Sequence, residues 1–128
     1  MTKDPRVYLA QILECCEKIR TFTVGGRSPF MDDAMVQDAV IRNFMIIGEA
    51  TKRLDDAYRA AHPHIPWRSL AAFRDVLVHQ YDVIDTERVW SIIENDLLDL
   101  MKALDDLLPP LDQLERELAG ETEETEST

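Results

Sequence analysis

The chain has 128 residues, 45% of them apolar, only four glycines and a net charge of -11. That length suits one domain, which can bury about two-thirds of its unfolded surface without disulfide or metal staples. The acid excess argues against a general nucleic-acid binder, and no apolar run approaches the roughly 20 residues of a membrane helix. The two cysteines, Cys15 and Cys16, are adjacent. They fit neither a disulfide framework nor a zinc spacing, and a reducing cytoplasm is the expected location. No apolar signal core follows the N-terminal Met-Thr-Lys-Asp-Pro-Arg.

Scarce glycine and the lack of strand-like alternation favour helices. Asp4-Pro5 starts the first: Asp caps free N–H groups and Pro suits the first turn. Tyr8, Leu9, Ile12, Cys15, Cys16, Ile19 and Phe22 follow at helical spacing, and Gly25-Gly26 ends the run. Ser28-Pro29 starts a second helix, expected to reach Ala60. Its stripe is Val36, Val40, Asn43, Phe44, Ile47, Thr51, Leu54 and Tyr58, widened by Met35, Ala39, Ile46 and Ala50. A helix so broadly apolar is covered on more than one side. Pro63 and Pro66 break it. Trp67 opens a third helix through Leu70, Ala71, Arg74, Leu77 and Val78, expected to fray between His79 and Asp82. Asp85-Thr86-Glu87 starts a fourth, with Val89, Trp90, Ile93, Leu97, Leu100 and Leu104 as its stripe, interrupted at Pro109-Pro110. Leu111, Leu114 and Leu118 suggest a short fifth. The composition predicts a disordered acidic tail over 120–128 after a helical domain over 1–119. The expected architecture is all-α, an up-and-down bundle of four or five helices.

Charge is unevenly spread. Residues 42–81 carry six basic and four acidic side chains, whereas residues 82–128 carry three and fifteen. The net-basic third holds Arg74-Asp75-Val76-Leu77-Val78-His79-Gln80-Tyr81. RNA brings its own nucleophile, the 2′-hydroxyl. Cleavage then needs a base, an acid and charge stabilisation at phosphorus. Histidine titrates near neutrality and serves as either acid or base, and arginine grips phosphate oxygens while staying charged. Five residues apart on a straight helix, Arg74 and His79 diverge by about 140°. Either the helix ends before His79 or the two groups converge between copies, as a two-fold dimer allows. Asp75 is four residues before His79, close enough to bond its imidazole and fix the tautomer. Spacing alone leaves plainer roles open. A histidine at a helix C-terminus is favoured by the helix dipole, and Tyr81 can be an ordinary amphipathic residue.

Residues 5–108 resemble the HEPN superfamily, specifically its HepT-type toxins of bacterial and archaeal toxin–antitoxin pairs. The signature is Arg, a polar residue, His after four to six residues, and in the HepT branch Tyr two residues later. Arg74, Asp75, His79 and Tyr81 match it. Ala39 to Ala50 with Lys52-Arg53-Leu54, His62 to Arg68, and Val89-Trp90 add to the likeness. The resemblance implies an all-helical homodimer with the motif in a cleft between subunits and a metal-independent endoribonuclease activity. Arg74 and His79 would be catalytic. It also implies a partner, a small nucleotidyltransferase of the MntA type. That antitoxin would silence the toxin by adding AMP to the motif tyrosine, by position Tyr81.

Around the motif, Asp75 and Glu49 are supporting candidates, Glu49 as a carboxylate that orients Arg74 or Arg42. Arg42, Asn43 and Arg68 are candidates for RNA contact, and Lys52 and Arg53 by default solvate their helix. Gly48, within the second helix, points to close helix approach. The rigid loop of His62-Pro63-His64 speaks against a metal site, and no cofactor is expected. A second reading is a non-catalytic nucleotide-binding or interaction module that docks onto, or is modified by, a nucleotidyltransferase.

Overall fold

The computed structural model describes residues 4–127, without the side chains of Tyr81, Leu111 and 121–127. Among these residues there are eight α-helices, one 3-10 turn and no strand. Helix α1 (Pro5–Phe22) starts as expected, with the Asp4 carboxylate accepting from the Arg6 N–H at 2.9 Å. It buries Leu9, Ile12, Cys15, Cys16 and Ile19. It stops before the glycines, at Thr23, whose N–H and hydroxyl both donate to the Ile19 carbonyl. Phe22 therefore falls at the end of the stripe and is 41% exposed. Gly26 provides the positive φ (94°) of the turn that follows.

The single helix expected from Ser28 to Ala60 is three helices: α2 (Arg27–Asp32), α3 (Ala34–Arg53) and α4 (Asp56–Ala61). Two aspartates make the divisions. Asp33 is extended and accepts from the Met35 and Val36 N–H groups. Leu54 is extended, and Asp55 accepts from the Tyr58 N–H at 2.7 Å. Each satisfies orphan donors of a new first turn. Beginning at Ala34 also leaves Met35 outside the core.

Helix α3 is the centre of the fold. It packs against α1 on one side and α5 (Trp67–His79) on the other. That explains its wide apolar surface, with Val40, Phe44, Ile47, Ala50 and Thr51 all buried. Thr51 is tolerated there because its hydroxyl donates to the Ile47 carbonyl at 2.8 Å. Phe44 meets Phe73 of α5 edge-on, with ring centroids 5.3 Å apart. The start of α5 is pinned by the Trp67 indole, which donates to the His62 carbonyl at 2.9 Å. A 3-10 turn (Tyr81–Val83) follows it, where fraying was expected.

The expected fourth helix is two, α6 (Thr86–Asn95) and α7 (Leu97–Leu107), joined at Asp96. Asp85 caps α6 as predicted. Helix α6 lies against α2 and α7 against α1, placing Val89, Ile93, Leu97, Leu100 and Leu104 in the core. After Pro109-Pro110, α8 (Leu111–Ser127) buries Leu114 and is tied to α1 by an Arg6–Glu117 ion pair at 2.5 Å. Its backbone stays helical into the acidic stretch where composition predicts disorder, since glutamate is a good helix former. Among the described residues no helix is long and apolar enough to cross a membrane.

Burial raises both cysteine thiols, Cys16 to about 12. Native protein at neutral pH should therefore resist an aromatic disulfide reagent at both positions, and denatured protein should release two thiols per chain. Rapid native labelling would contradict this packing. Ile47→Ala should lower unfolding free energy by about 2–5 kcal/mol in a denaturant titration. A loss below about 0.5 kcal/mol would place α3 at the surface.

Candidate functional site

Arg74 is built into the α3–α5 contact. A Cβ on Gly48 would lie 2.1 Å from Arg74 Cβ and 3.0 Å from the Leu70 carbonyl oxygen. Only a glycine lets the two helices come this close. The guanidinium then emerges between two carboxylates: Nη2 is 3.2 Å from Glu49, and Nη1 donates to Asp75 Oδ1 at 3.1 Å. The side chain is 27% exposed, so the group is held but reachable. Of the two roles open to Glu49, orienting Arg74 is the one the geometry provides, and its other neighbour is Arg53 at 4.0 Å.

Asp75 has a different partner from the one expected. Its Oδ1 accepts from Lys52 Nζ at 2.5 Å and from Arg74. It does not bond His79, four residues along. The Lys52 hydrogen bond, then the Arg74 one, holds the Asp75 carboxyl below its usual range. Lys52 is thus part of the cluster and not merely a solvated helix residue. Its spacing of four from Gly48 was the signal, because it repeats the face that meets α5.

His79 is exposed, and among the described residues it has no hydrogen-bond or ion-pair partner. It is the last residue of α5, with Gln80 as the C-cap. The helix does not end before it. Along this continuous helix Arg74 and His79 point about 140° apart and lie about 7.5 Å apart along the axis. One chain does not bring them together.

Tyr81 begins the 3-10 turn, and its side chain lies outside the described residues. Arg42 is exposed and lines a cleft of about 490 Å³ with Met45, Asp82 and Ile84, so that turn borders the cleft. Asn43 is buried, and its amide donates to the Ala39 carbonyl at 2.8 Å. It faces the core, because its place in the apolar stripe prevails over its polarity. Arg68 is exposed near the start of α5. His62 packs against Tyr58 with the two rings tilted by 45° and their centroids 4.6 Å apart. Among the described residues no three His, Cys, Asp or Glu side chains group as a metal-binding set.

The family model described as Ribonuclease HepT-like matches residues 12–107, which include every residue of this cluster. The chain belongs to the HepT-like ribonuclease family. Curated relatives agree. "Probable ribonuclease HepT" of Thermococcus cleftensis is 38% identical over 98 residues, 76% of this chain and 89% of that protein. "Putative RNase MJ0127" of Methanocaldococcus jannaschii is 34% identical over 111 residues, 86% and 92% of the two chains. "Gamma-glutamylcyclotransferase and putative RNase MJ0434" of the same organism is 36% identical over 114 residues. Those residues are 88% of this chain but only 51% of that protein, so the HepT-like chain spans about half of it. No solved structure matches.

On helix propensity alone, Gly48→Ala should stabilise α3 by about 1 kcal/mol. With Arg74 in the way it should instead destabilise by about 1–3 kcal/mol in a denaturant titration. A stabilised variant would mean that α3 and α5 are not in contact there.

Proposed function

We propose that this chain is the toxin of a toxin–antitoxin pair, a metal-independent endoribonuclease whose active site forms between two subunits of a homodimer. The observation carrying the composite site is that α5 stays helical through His79, which keeps Arg74 and His79 apart within one chain. An isologous pairing of two copies of this surface would set the Arg74 of each subunit against the His79 of the other.

The chemistry follows from the groups. One imidazole takes the proton of the RNA 2′-hydroxyl as its oxygen attacks phosphorus. The bond from phosphorus to the 5′ oxygen breaks, and the second imidazole, protonated, gives that oxygen its proton. The products are a cyclic phosphate and a free 5′-hydroxyl. Arg74 offsets charge gathering on the phosphoryl oxygens. Glu49 and Asp75 hold it ready and occupy only part of its five N–H donors, leaving the others for phosphate.

Silencing would come from a nucleotidyltransferase partner of the MntA type that adds AMP to Tyr81. The phenol oxygen attacks the α-phosphorus of ATP and pyrophosphate leaves. The added phosphate would put negative charge two residues from His79, where RNA phosphate must bind. A second reading, a nucleotide-binding or docking module without cleavage, draws on the net charge of -11 and on two carboxylates already pairing with Arg74.

Purified protein with chelator present should cleave single-stranded RNA, and His79→Ala or Arg74→Ala should slow it at least ~100-fold. Equal cleavage by all three would mean contamination or another site, and no cleavage by wild type would favour the docking module. With ATP, magnesium and the partner transferase, the intact mass should rise, and Tyr81→Phe should abolish the gain. A gain that survives this substitution would place the modification elsewhere.

A further inference from the structure

A second basic surface lies beside the cluster. The loop before α5 and the exposed face of α5 form an open groove of about 700 Å³, lined by Arg59, Pro63, Pro66, Arg68, Ala71 and Asp75. Arg68 and Asp75 are seven residues apart and so share one helix face, about 10.5 Å apart along the axis. Between them that face carries Ala71 and Ala72, small enough to let a strand lie close to the helix. The single lining carboxylate, Asp75, is already bonded to Lys52 and Arg74. Arg59 and Arg68 therefore dominate the local charge.

Both arginines have capacity to spare. Arg68 has no hydrogen-bond or ion-pair partner among the described residues. Among the described residues Arg59 pairs only with Asp56, a neighbour three residues back that is 97% exposed, and its Nε is buried without an acceptor. Such an exposed pair contributes little, whereas a buried orphan donor is costly. A phosphate in the groove would draw the guanidinium from Asp56 and give its unused donors an acceptor.

Taking the ribonuclease reading as given, we propose that this groove is an RNA subsite, in which Arg59 and Arg68 bind phosphates of the strand flanking the one at Arg74. Arg74 is six residues from Arg68, about 9 Å along the axis, which equals two to three stacked nucleotides at roughly 3.4 Å each. Short RNA would reach Arg74 alone, and longer RNA would fill both places. The groove also gives an acidic protein a local means of holding a polyanion.

The test uses full-length His79→Ala protein, to prevent cleavage, and a fluorescent single-stranded RNA long enough to span both places. Adding Arg59→Ala and Arg68→Ala should weaken binding about tenfold. It should also flatten the plot of log affinity against log salt by about 1.4, near 0.7 for each lost phosphate contact. Arg20→Ala, which removes one exposed charge on α1 as Arg68→Ala does on α5, should change neither, and binding of a dinucleotide should be the same in all variants. Arg68→Ala alone, at an exposed position, serves if the double variant loses helicity. Unchanged binding of long RNA by the groove variants, or an equal loss from Arg20→Ala, would overturn the subsite and leave the ribonuclease reading standing. If the parent does not bind RNA and wild type does not cleave it, both fall together.

Discussion

The contact between Gly48 and Arg74 is the constraint on which the rest of the arrangement depends. A hydrogen in place of a side chain at position 48 lets α3 and α5 approach until Arg74 Cβ fills the space a methyl would need. That proximity sets the register of the two helices. It brings Glu49 of α3 to one side of the guanidinium, and Lys52, one turn on, to the carboxylate of Asp75. Three charges from two helices, those of Glu49, Lys52 and Asp75, thus interlock around one arginine. These pairs are half-exposed and individually weak. Their effect is to restrict where Arg74 can point, while Phe44, Ile47, Phe73 and Leu77 supply the burial that holds the helices together.

The same rigidity divides the motif. A helix that stays regular through its last residue cannot turn His79 back toward Arg74. Under the proposed ribonuclease reading, a single chain would then hold half of a site, and association would complete it. Electrostatics follow the same division. The acidic excess belongs to the segments beyond residue 81, while the α3–α5 region keeps its arginines at the surface. A net-negative chain thus keeps one locally basic region beside its acidic segments.

Much of this was legible in the sequence, for identifiable reasons. The stripe of α3 was readable because burial against two neighbours leaves a strong apolar period, and even Asn43 obeys it. The start of α1 and the cap of α6 were readable because Asp at an N-cap has a distinct chemical role. The breaks at Asp33 and Leu54 were not. An aspartate inside an apolar pattern looks like a solvated face until the chain bends and its carboxylate reaches the next turn. Gly48 was readable as a close approach. The partners of Asp75 were not, because a spacing of four suggests His79 while Lys52 arrives from another helix. Arg59 gave no signal at all, since its groove exists only after α4 separates from α3.

Complementation between two disabled chains tests the divided site most directly. Arg74→Ala and His79→Ala subunits carrying different tags would be co-expressed, and the mixed species isolated through both tags. If the guanidinium of one copy works with the imidazole of the other, the mixed species retains one Arg74–His79 pairing, whose single imidazole acts as base while water, more slowly, protonates the leaving oxygen. It should then cleave RNA measurably faster than either disabled parent. A mixed species that forms and is no faster than its parents would contradict a site shared between subunits.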